Sequence, residues 1–269
     1  MTISSAAAPT APVHIRVGHG TLSFLVEDED GTMAFHPYEV KEGMSIAANL
    51  REAFRTEPYL KGAKGRAVLS VATPVVLMPL EEYNEMDDFD AEEMYSSVIT
   101  GHKGELKVTS QVPQLDAVAV FPVNNDLHMV VKDHLPDVEV RNVTIPVWEH
   151  LYNRYFRAGM HRRLFLYFHD KMVDVCSFDK HRIRFANVFD ASSDRDALYY
   201  ILYAWKQLGL SQQDDELHLV GDVTSDSWIV SRLKTYVAHV YLINPSANLN
   251  RSPLADIPGM PFDMMLRTI

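Results

Sequence analysis

The sequence contains a single cysteine, Cys176, among its 269 residues. A disulfide within the chain is therefore impossible, which fits a reducing compartment. No apolar run approaches the ~20 residues that a helix needs to span a bilayer. Residues 1–12 lack the basic and apolar regions of a signal peptide, and their composition is typical of a disordered tail. These absences predict a soluble, cytoplasmic protein that does not insert directly into a membrane.

Basic residues are also scarce. The chain has 25 lysines and arginines against 36 aspartates and glutamates, for a formal net charge of −11. Nucleic-acid affinity comes mainly from lysine and arginine side chains that displace counterions from phosphates. We therefore expect no nucleic-acid partner.

Signatures of known catalytic and metal sites are missing as well. The sequence has no P-loop, no Gly-x-Ser-x-Gly elbow, no His-Glu-x-x-His pair and no paired cysteine spacing. The acidic stretch from Asp87 to Glu93 lacks the glycine and the spaced oxygen ligands of a calcium loop, and we interpret it as the start of a helix. We expect no catalytic residue of these classes and no metal ligands.

What the sequence does contain is an apolar fraction of 47% and a series of strand and helix patterns. Strands are predicted at Leu22–Val26 and Met33–Val40, around a polar turn with a glycine. A helix follows, which Ser45 caps and which ends before Pro58.

A second series of the same order begins with a strand at Leu164–Phe168. The turn His169-Asp170-Lys171 leads into Met172–Phe178, whose alternation predicts a strand with one covered face. Ser193 and Asp196 have the spacing of a capping box, at the start of a helix that Gly209 ends.

The region between the two series is less regular. Val138–Ile145 is predicted as a strand and Val147–Phe156 as a helix. Because the two series share their order of elements, we predict two lobes of similar build, at 13–146 and 147–269.

Four stretches carry a resemblance to known proteins. They are Leu22-Ser23-Phe24, Tyr167-Phe168-His169-Asp170, Ala197–Leu210 and Glu216–Asp222. Residues 164–244 resemble the second lobe of actin-like proteins of the pilus-assembly and secretion-scaffold kind. The whole chain more closely resembles a Bacteroidota family catalogued as domain of unknown function 3822, or DUF3822, whose ending is similar to Asn250–Leu254 and Ile257–Asp263. The resemblance implies an α/β, two-lobed actin-like (ribonuclease H-like duplicated) fold with mixed sheets flanked by helices, and it implies no known activity.

An actin-like ATPase wraps phosphate with a hairpin turn in each lobe. In the first lobe the equivalent turn holds Asp28 and Gly31, residues that are also typical of a plain hairpin. In the second lobe the turn contains Asp170 but no glycine, and Gly221-Asp222 stands where the adenosine-binding glycines would cluster. ATP and Mg²⁺ are cofactors only under the hypothesis that these five residues still bind them. The site is otherwise a degenerate nucleotide site and the chain has no cofactor.

An enzyme of another type is a third hypothesis. His169 and Asp170 are adjacent and form an acid–base pair if a pocket surrounds them. Cys176 is a nucleophile if a histidine lowers its pKa. The plainer interpretations are a hairpin tip for His169 and Asp170 and an inert strand thiol for Cys176.

The segment Pro253–Met265 is too apolar for a free tail. It either packs on its own lobe, as an added strand, or is a ligand for another protein, and self-packing is favoured. Our leading hypothesis is a non-enzymatic interaction or scaffold protein with a degenerate actin-like fold. Its partner is another protein, recognised by one lobe or by the interlobe cleft. The alternatives are an actin-like ATP-binding protein and a small-molecule enzyme that uses the cleft.

Overall fold

The computed structural model describes residues 11–28, 30–61, 63, 65–86, 88–156, 161–180, 182–245 and 253–266. Most of the predicted tail at 1–12 and the stretch 250–252 lie outside the described residues. The strands are β1 (Val13–Val17), β2 (Leu22–Glu27), β3 (Met33–Tyr38), β4 (Arg66–Val71), β5 (Val76–Pro79), β6 (Leu106–Val112), β7 (Ala117–Val123), β8 (Asp137–Asn142), β9 (Arg163–His169), β10 (Met172–Asp179), β11 (Arg182–Asp190), β12 (Glu216–Gly221) and β13 (His239–Leu242).

The helices lie between these strands. They are α1 (Ile46–Thr56), α2 (Leu80–Asn84), α3 (Asp88–Val98), α4 (Asn125–His134), α5 (Thr144–Leu151), α6 (Asp194–Gln207), α7 (Trp228–Tyr236) and α8 (Phe262–Met265). The chain is therefore α/β with mixed sheets flanked by helices, as predicted. In the described part of the chain, no helix combines the length and the apolar character needed to cross a membrane.

Packing divides the chain into two compact units, each made of two segments. The first unit is Met1–Val71 with Val123–Arg141, and the second unit is Ala72–Pro122 with Asn142–Ile269. The sequence predicted instead that each lobe is one continuous segment, 13–146 and 147–269. That division stays a prediction.

The first unit contains a five-stranded sheet of order β3-β2-β1-β4-β8. Strand β1 is antiparallel to β2 and parallel to β4. Helix α1 begins where predicted, because the Ala48 N–H donates to Ser45 Oγ at 3.2 Å. It ends at Thr56, two residues before Pro58, and buries Leu50 completely.

The second unit contains a five-stranded sheet of order β11-β10-β9-β12-β13 and a three-stranded sheet of order β5-β7-β6. Strand β12 runs parallel to β9 and β13, whereas β10 is antiparallel to β9 and β11. Helices α6 and α7 pack on the larger sheet through a shared apolar core that includes Ile201, Trp205 and Leu233. Helix α6 ends in a Schellman motif, in which the Leu210 N–H donates to the Trp205 carbonyl and Gly209 has φ +62°. The predicted C-terminal glycine is confirmed.

Three local predictions are wrong. Ser193 stands at the start of α6, but its side chain makes no capping hydrogen bond. The residues of β10 from Val173 to Phe178 are all buried, so both faces of this strand are covered rather than one. Strand β8 ends at Asn142 instead of continuing to Ile145, because Asn142 Oδ1 accepts the Thr144 N–H at 2.9 Å and α5 begins there.

The C-terminal segment packs on its own unit. Leu254, Met260, Phe262 and Met264 are all buried. The described part forms a 3₁₀ turn at Pro253–Asp256 and the short helix α8 rather than the predicted added strand. Buried apolar side chains account for the composition that a free tail could not have.

Candidate functional site

The turn between β2 and β3 closes on itself. The Gly31 N–H donates to the Asp28 carbonyl at 3.0 Å, and the Asp28 N–H donates to the Thr32 carbonyl at 2.8 Å. The Thr32 N–H donates to Asp30 Oδ1 at 3.1 Å. Gly31 has φ +82°, which glycine adopts without steric cost. These N–H groups already have partners within the turn, so a phosphate bound here would have to displace them.

The turn between β9 and β10 has only two residues. Asp170 and Lys171 have φ of 47° and 60°, the left-handed pair of a type I′ hairpin turn. His169 and Met172 pair directly across the two strands. The sequence had suggested that His169 belongs to the hairpin tip. In the structure, His169 is instead the last residue of β9. The turn contains no glycine, the residue that lets backbone N–H groups approach phosphate oxygens closely.

A buried hydrogen-bonded network surrounds the His169 imidazole. Its Nδ1 lies 3.0 Å from Asp170 Oδ2, and its Nε2 lies 2.8 Å from Asp174 Oδ2. The Thr144 hydroxyl donates to the same Asp174 oxygen at 3.0 Å. The Tyr167 ring stacks on the imidazole with centroids 4.6 Å apart. Only 5% of the His169 surface is exposed, so solvent screens these contacts little.

The network holds His169 in its charged form. Burial by itself lowers the pKa of His169, but the hydrogen bonds and the charges of Asp170 and Asp174 raise this pKa to about 9. A general base must be unprotonated at the working pH. The predicted acid–base pair of His169 and Asp170 therefore exists as a contact, yet its geometry is that of a fixed ion network.

Gly221 permits a close approach of two strands. Its φ is +97°, and a Cβ added to it would lie 2.0 Å from the Phe168 carbonyl oxygen. The next N–H, that of Asp222, donates to the same oxygen at 2.8 Å. The glycine is therefore required by the backbone of β9, whether or not a ligand binds beside it.

A cavity of about 360 Å³ lies beside the β9–β10 turn. Its polar wall includes the side chains of Asp194, Asp222 and Lys171, and the start of α7 supplies Trp228. His169 also lines the cavity, but Asp170 and Asp174 already balance its charge. Two carboxylates therefore stand against one ammonium group, which is unfavourable for a polyphosphate. Of the five residues that were predicted to bind nucleotide, Asp222 is the one that lines this cavity. Asp170 and Gly221 adjoin the lining residues, and Asp28 and Gly31 belong to the first unit.

Cys176 is a poor nucleophile in this fold. The thiol is 1% exposed, and burial, with a smaller effect of Asp174, raises its pKa well above the usual value. A thiolate is the reactive form, so the geometry fits the inert strand thiol. Among the described residues, no three histidine, cysteine or carboxylate side chains come together as metal ligands.

The first unit carries an open groove of about 820 Å³. The His36 and Tyr59 rings stack along it with centroids 4.0 Å apart. The lining also includes the glutamates at 39, 42, 52 and 57 and one lysine, Lys41, whose Nζ lies 2.6 Å from Glu52 Oε1. Three carboxylates are thus left without a lysine or arginine among the lining residues. The groove combines aromatic faces with negative charge, which suits a cationic group.

Sequence reasoning missed Thr144, Asp174 and Tyr167 as members of the His169 network. Asp174 had a signal, because it is a lone carboxylate between two valines of an apolar strand. A buried charge of that kind requires a partner. Nothing local pointed to Thr144, which lies 30 residues away along the chain.

A family model described as "Protein of unknown function (DUF3822)" matches residues 6–240. The chain belongs to the DUF3822 family. The resemblance found in the sequence is therefore confirmed. A search of curated proteins returned no match for this DUF3822 protein.

Solved structures place the DUF3822 chain in the actin-like fold. A Bacteroides thetaiotaomicron protein described as having an actin-like ATPase fold and unknown function is 21% identical, with a TM-score of 0.77. The alignment covers 96% of this chain and 100% of that one. A chain of the PilM-PilN type IV pilus biogenesis complex is 14% identical, with a TM-score of 0.52 over 89% of this chain and 90% of that one. Both likenesses concern the fold and leave the activity open.

Proposed function

We propose that this DUF3822 protein is a non-enzymatic scaffold that binds another protein and has no ATP chemistry. The observation that carries the proposal is the ion network of His169 at the β9–β10 turn. Where an ATPase of this fold needs a glycine that brings backbone N–H groups to phosphate, this turn has two left-handed residues other than glycine. Beside the turn, the His169 imidazolium is buried between two carboxylates. The self-bonded turn at Asp28 and Gly31 supports the same view.

The groove of the first unit is the surface we assign to the partner. Its aromatic rings and its unmatched glutamates favour a protein segment that carries lysine or arginine. A chain of similar fold was solved in the PilM-PilN type IV pilus biogenesis complex, which gives a precedent for a partner of this kind of body.

A thermal melt with and without about millimolar ATP and Mg²⁺ tests the absence of ATP chemistry. A ligand present at one hundred times its dissociation constant would add ~2.7 kcal/mol to the stability of the folded state. We expect no rise in Tm beyond that caused by Mg²⁺ alone. A rise that is specific to ATP and is lost in Lys171→Ala would overturn the proposal and favour the nucleotide-binding alternative.

Binding of a fluorescent oligolysine peptide, followed by anisotropy, tests the groove separately. The double variant Glu39→Gln/Glu42→Gln removes two charges from the groove. The control double variant Glu81→Gln/Glu82→Gln removes two exposed charges from α2, so its net charge equals that of the first double variant. We expect the first pair to weaken binding by about tenfold and the second pair to have little effect. If both double variants lose the same affinity for the peptide, the interaction depends only on net charge and the groove is not the binding site.

A further inference from the structure

Helix α6 presents tyrosines to solvent on the side away from its core. Tyr199 and Tyr203 are 64% and 51% exposed, and their rings are nearly parallel with centroids 6.2 Å apart. The opposite side of the helix buries Ala197, Ile201, Ala204 and Trp205 against the sheet. The helix therefore has its full apolar face without the two tyrosines, which remain largely exposed.

Charged residues flank this tyrosine pair at helical spacing. Exposed Asp196 lies three residues before Tyr199, and exposed Lys206 lies three residues after Tyr203. Residues three and four apart share one side of a helix, so the four side chains form a single stripe. Among the described residues, neither Asp196 nor Lys206 forms a salt bridge within the chain.

The stripe is symmetric about Ile201. Tyr199 and Tyr203 each lie two positions from it, and Asp196 and Lys206 each lie five positions from it. When two such helices pack antiparallel about a twofold axis at this point, each Asp196 faces Lys206 of the other copy. Each Tyr199 then faces Tyr203 of the other copy. A twofold interface requires this kind of self-complementary pattern.

We propose that the stripe Asp196, Tyr199, Tyr203 and Lys206 is a docking surface for a second copy of this chain, with the two α6 helices antiparallel. The antiparallel arrangement also opposes the two helix dipoles, with each acidic start beside a basic end. Tyrosine is enriched in protein interfaces because its ring buries a large area and its hydroxyl tolerates water. One helix stripe is less than the ~800 Å² per partner of a standard interface, so the dimer is weak and depends on concentration. The proposal is independent of the proposed function, since it holds with or without ATP.

The helix dipole alone offers a competing explanation of the charges. It favours acidic residues in the first turn and basic residues in the last turn of any helix. This explanation leaves the two exposed tyrosines without a role. It also predicts that reversing either charge changes helix stability slightly and leaves association unchanged.

Sedimentation velocity over a range of concentrations tests the proposal with charge reversals. In a dimer of Asp196→Lys or of Lys206→Asp, both pairs formed by positions 196 and 206 carry like charges. Each variant should therefore weaken dimerisation by about tenfold or more. The double variant should dimerise again. A mixture of the two single variants should form a heterodimer, because both its charge pairs are then of opposite sign. Tyr236→Ser, which changes a tyrosine on α7 that is 48% exposed, is the control and should dimerise normally.

Four results would overturn the proposal. They are a wild-type chain that stays monomeric at the highest concentration, a dimer that neither single reversal weakens, single variants that fail to associate when mixed, and a folded Tyr199→Ser variant that is still dimeric. Circular dichroism of each variant establishes that it is folded, and Tyr199→Ser provides a second, uncharged disruption that should also give monomers. If Tyr199→Ser is folded and still dimeric, the α6 stripe is not the interface.

Discussion

The ion network of His169 should make the stability of the protein depend on pH in the alkaline range. The pKa of His169 is about 9 in the folded protein, against an ordinary value of 6.5. A group whose pKa is raised by folding binds its proton more tightly in the folded state. Its contribution is therefore fully present below about pH 6.5 and is lost as the pH rises through about 9.

The size of the effect follows from the same values. Each pKa unit corresponds to 1.36 kcal/mol, so the difference between 6.5 and about 9 amounts to about 3 kcal/mol. Only 5% of the His169 surface is exposed, so screening by water removes little of this. Domains are stable by about 5–15 kcal/mol in total, so a change of this size is readily measured.

Asp174→Asn is the decisive variant. The asparagine carbonyl oxygen can still accept hydrogen bonds from Thr144 Oγ1 and His169 Nε2, but the negative charge is gone. We expect the pKa of His169 to fall toward 6.5, and the alkaline loss of stability to shrink to about 1 kcal/mol. Urea unfolding from about pH 6 to about pH 9 measures the stability, and an NMR titration of the imidazole measures the pKa itself.

Glu82→Gln serves as the control, since it removes one exposed charge from α2, far along the chain from the histidine. Its pH profile should match that of the wild type. The reasoning fails if the wild-type stability is flat or rises between about pH 6 and pH 9. It fails equally if Asp174→Asn and the wild type give the same profile.

Three further changes test other parts of the fold. Gly221→Ala should destabilise the protein by several kcal/mol more than Gly101→Ala in urea unfolding; both glycines have φ above +90°, but only at Gly221 would a Cβ meet a backbone oxygen. Phe262→Ala should cost about 3–5 kcal/mol because the ring is buried, and a cost below about 1 kcal/mol would mean that α8 does not belong to the core. Cys176 should react with a thiol reagent only after unfolding, and rapid labelling of the native protein would contradict its burial.

Helix ends with local causes were well predicted from the sequence. Ser45 needs only the N–H three residues later, and Gly209 needs only its own left-handed backbone and the carbonyls of the preceding turn. Ser193 shows the limit of such motifs, since the spacing of its capping box is right and its side chain makes no capping bond. A motif states which bond is available locally, and the surrounding packing decides whether it forms.

The candidate site was less accessible to sequence reasoning. The turn at Asp170 was placed correctly, but the burial of His169 depends on Asp174 and on Thr144 from another element. The alternation of β10 predicted one covered face, whereas the polar residues at 174 and 177 are also buried and hydrogen bonded. Polar residues on a strand signal solvent only when no distant partner satisfies them, and a single sequence does not contain that information.

Residues 72–122 leave the first unit after Val71 and return to it at Val123. The departure and the return are tied together, because the Thr73 hydroxyl donates to the Pro122 carbonyl at 2.9 Å. When the two ends of a segment are held together, a change in the length of a loop between them has a small cost in loop-closure entropy. Insertions in the connection 99–105, between α3 and β6, should therefore leave β4 and α4 undisturbed, and chain length among DUF3822 proteins is expected to vary there.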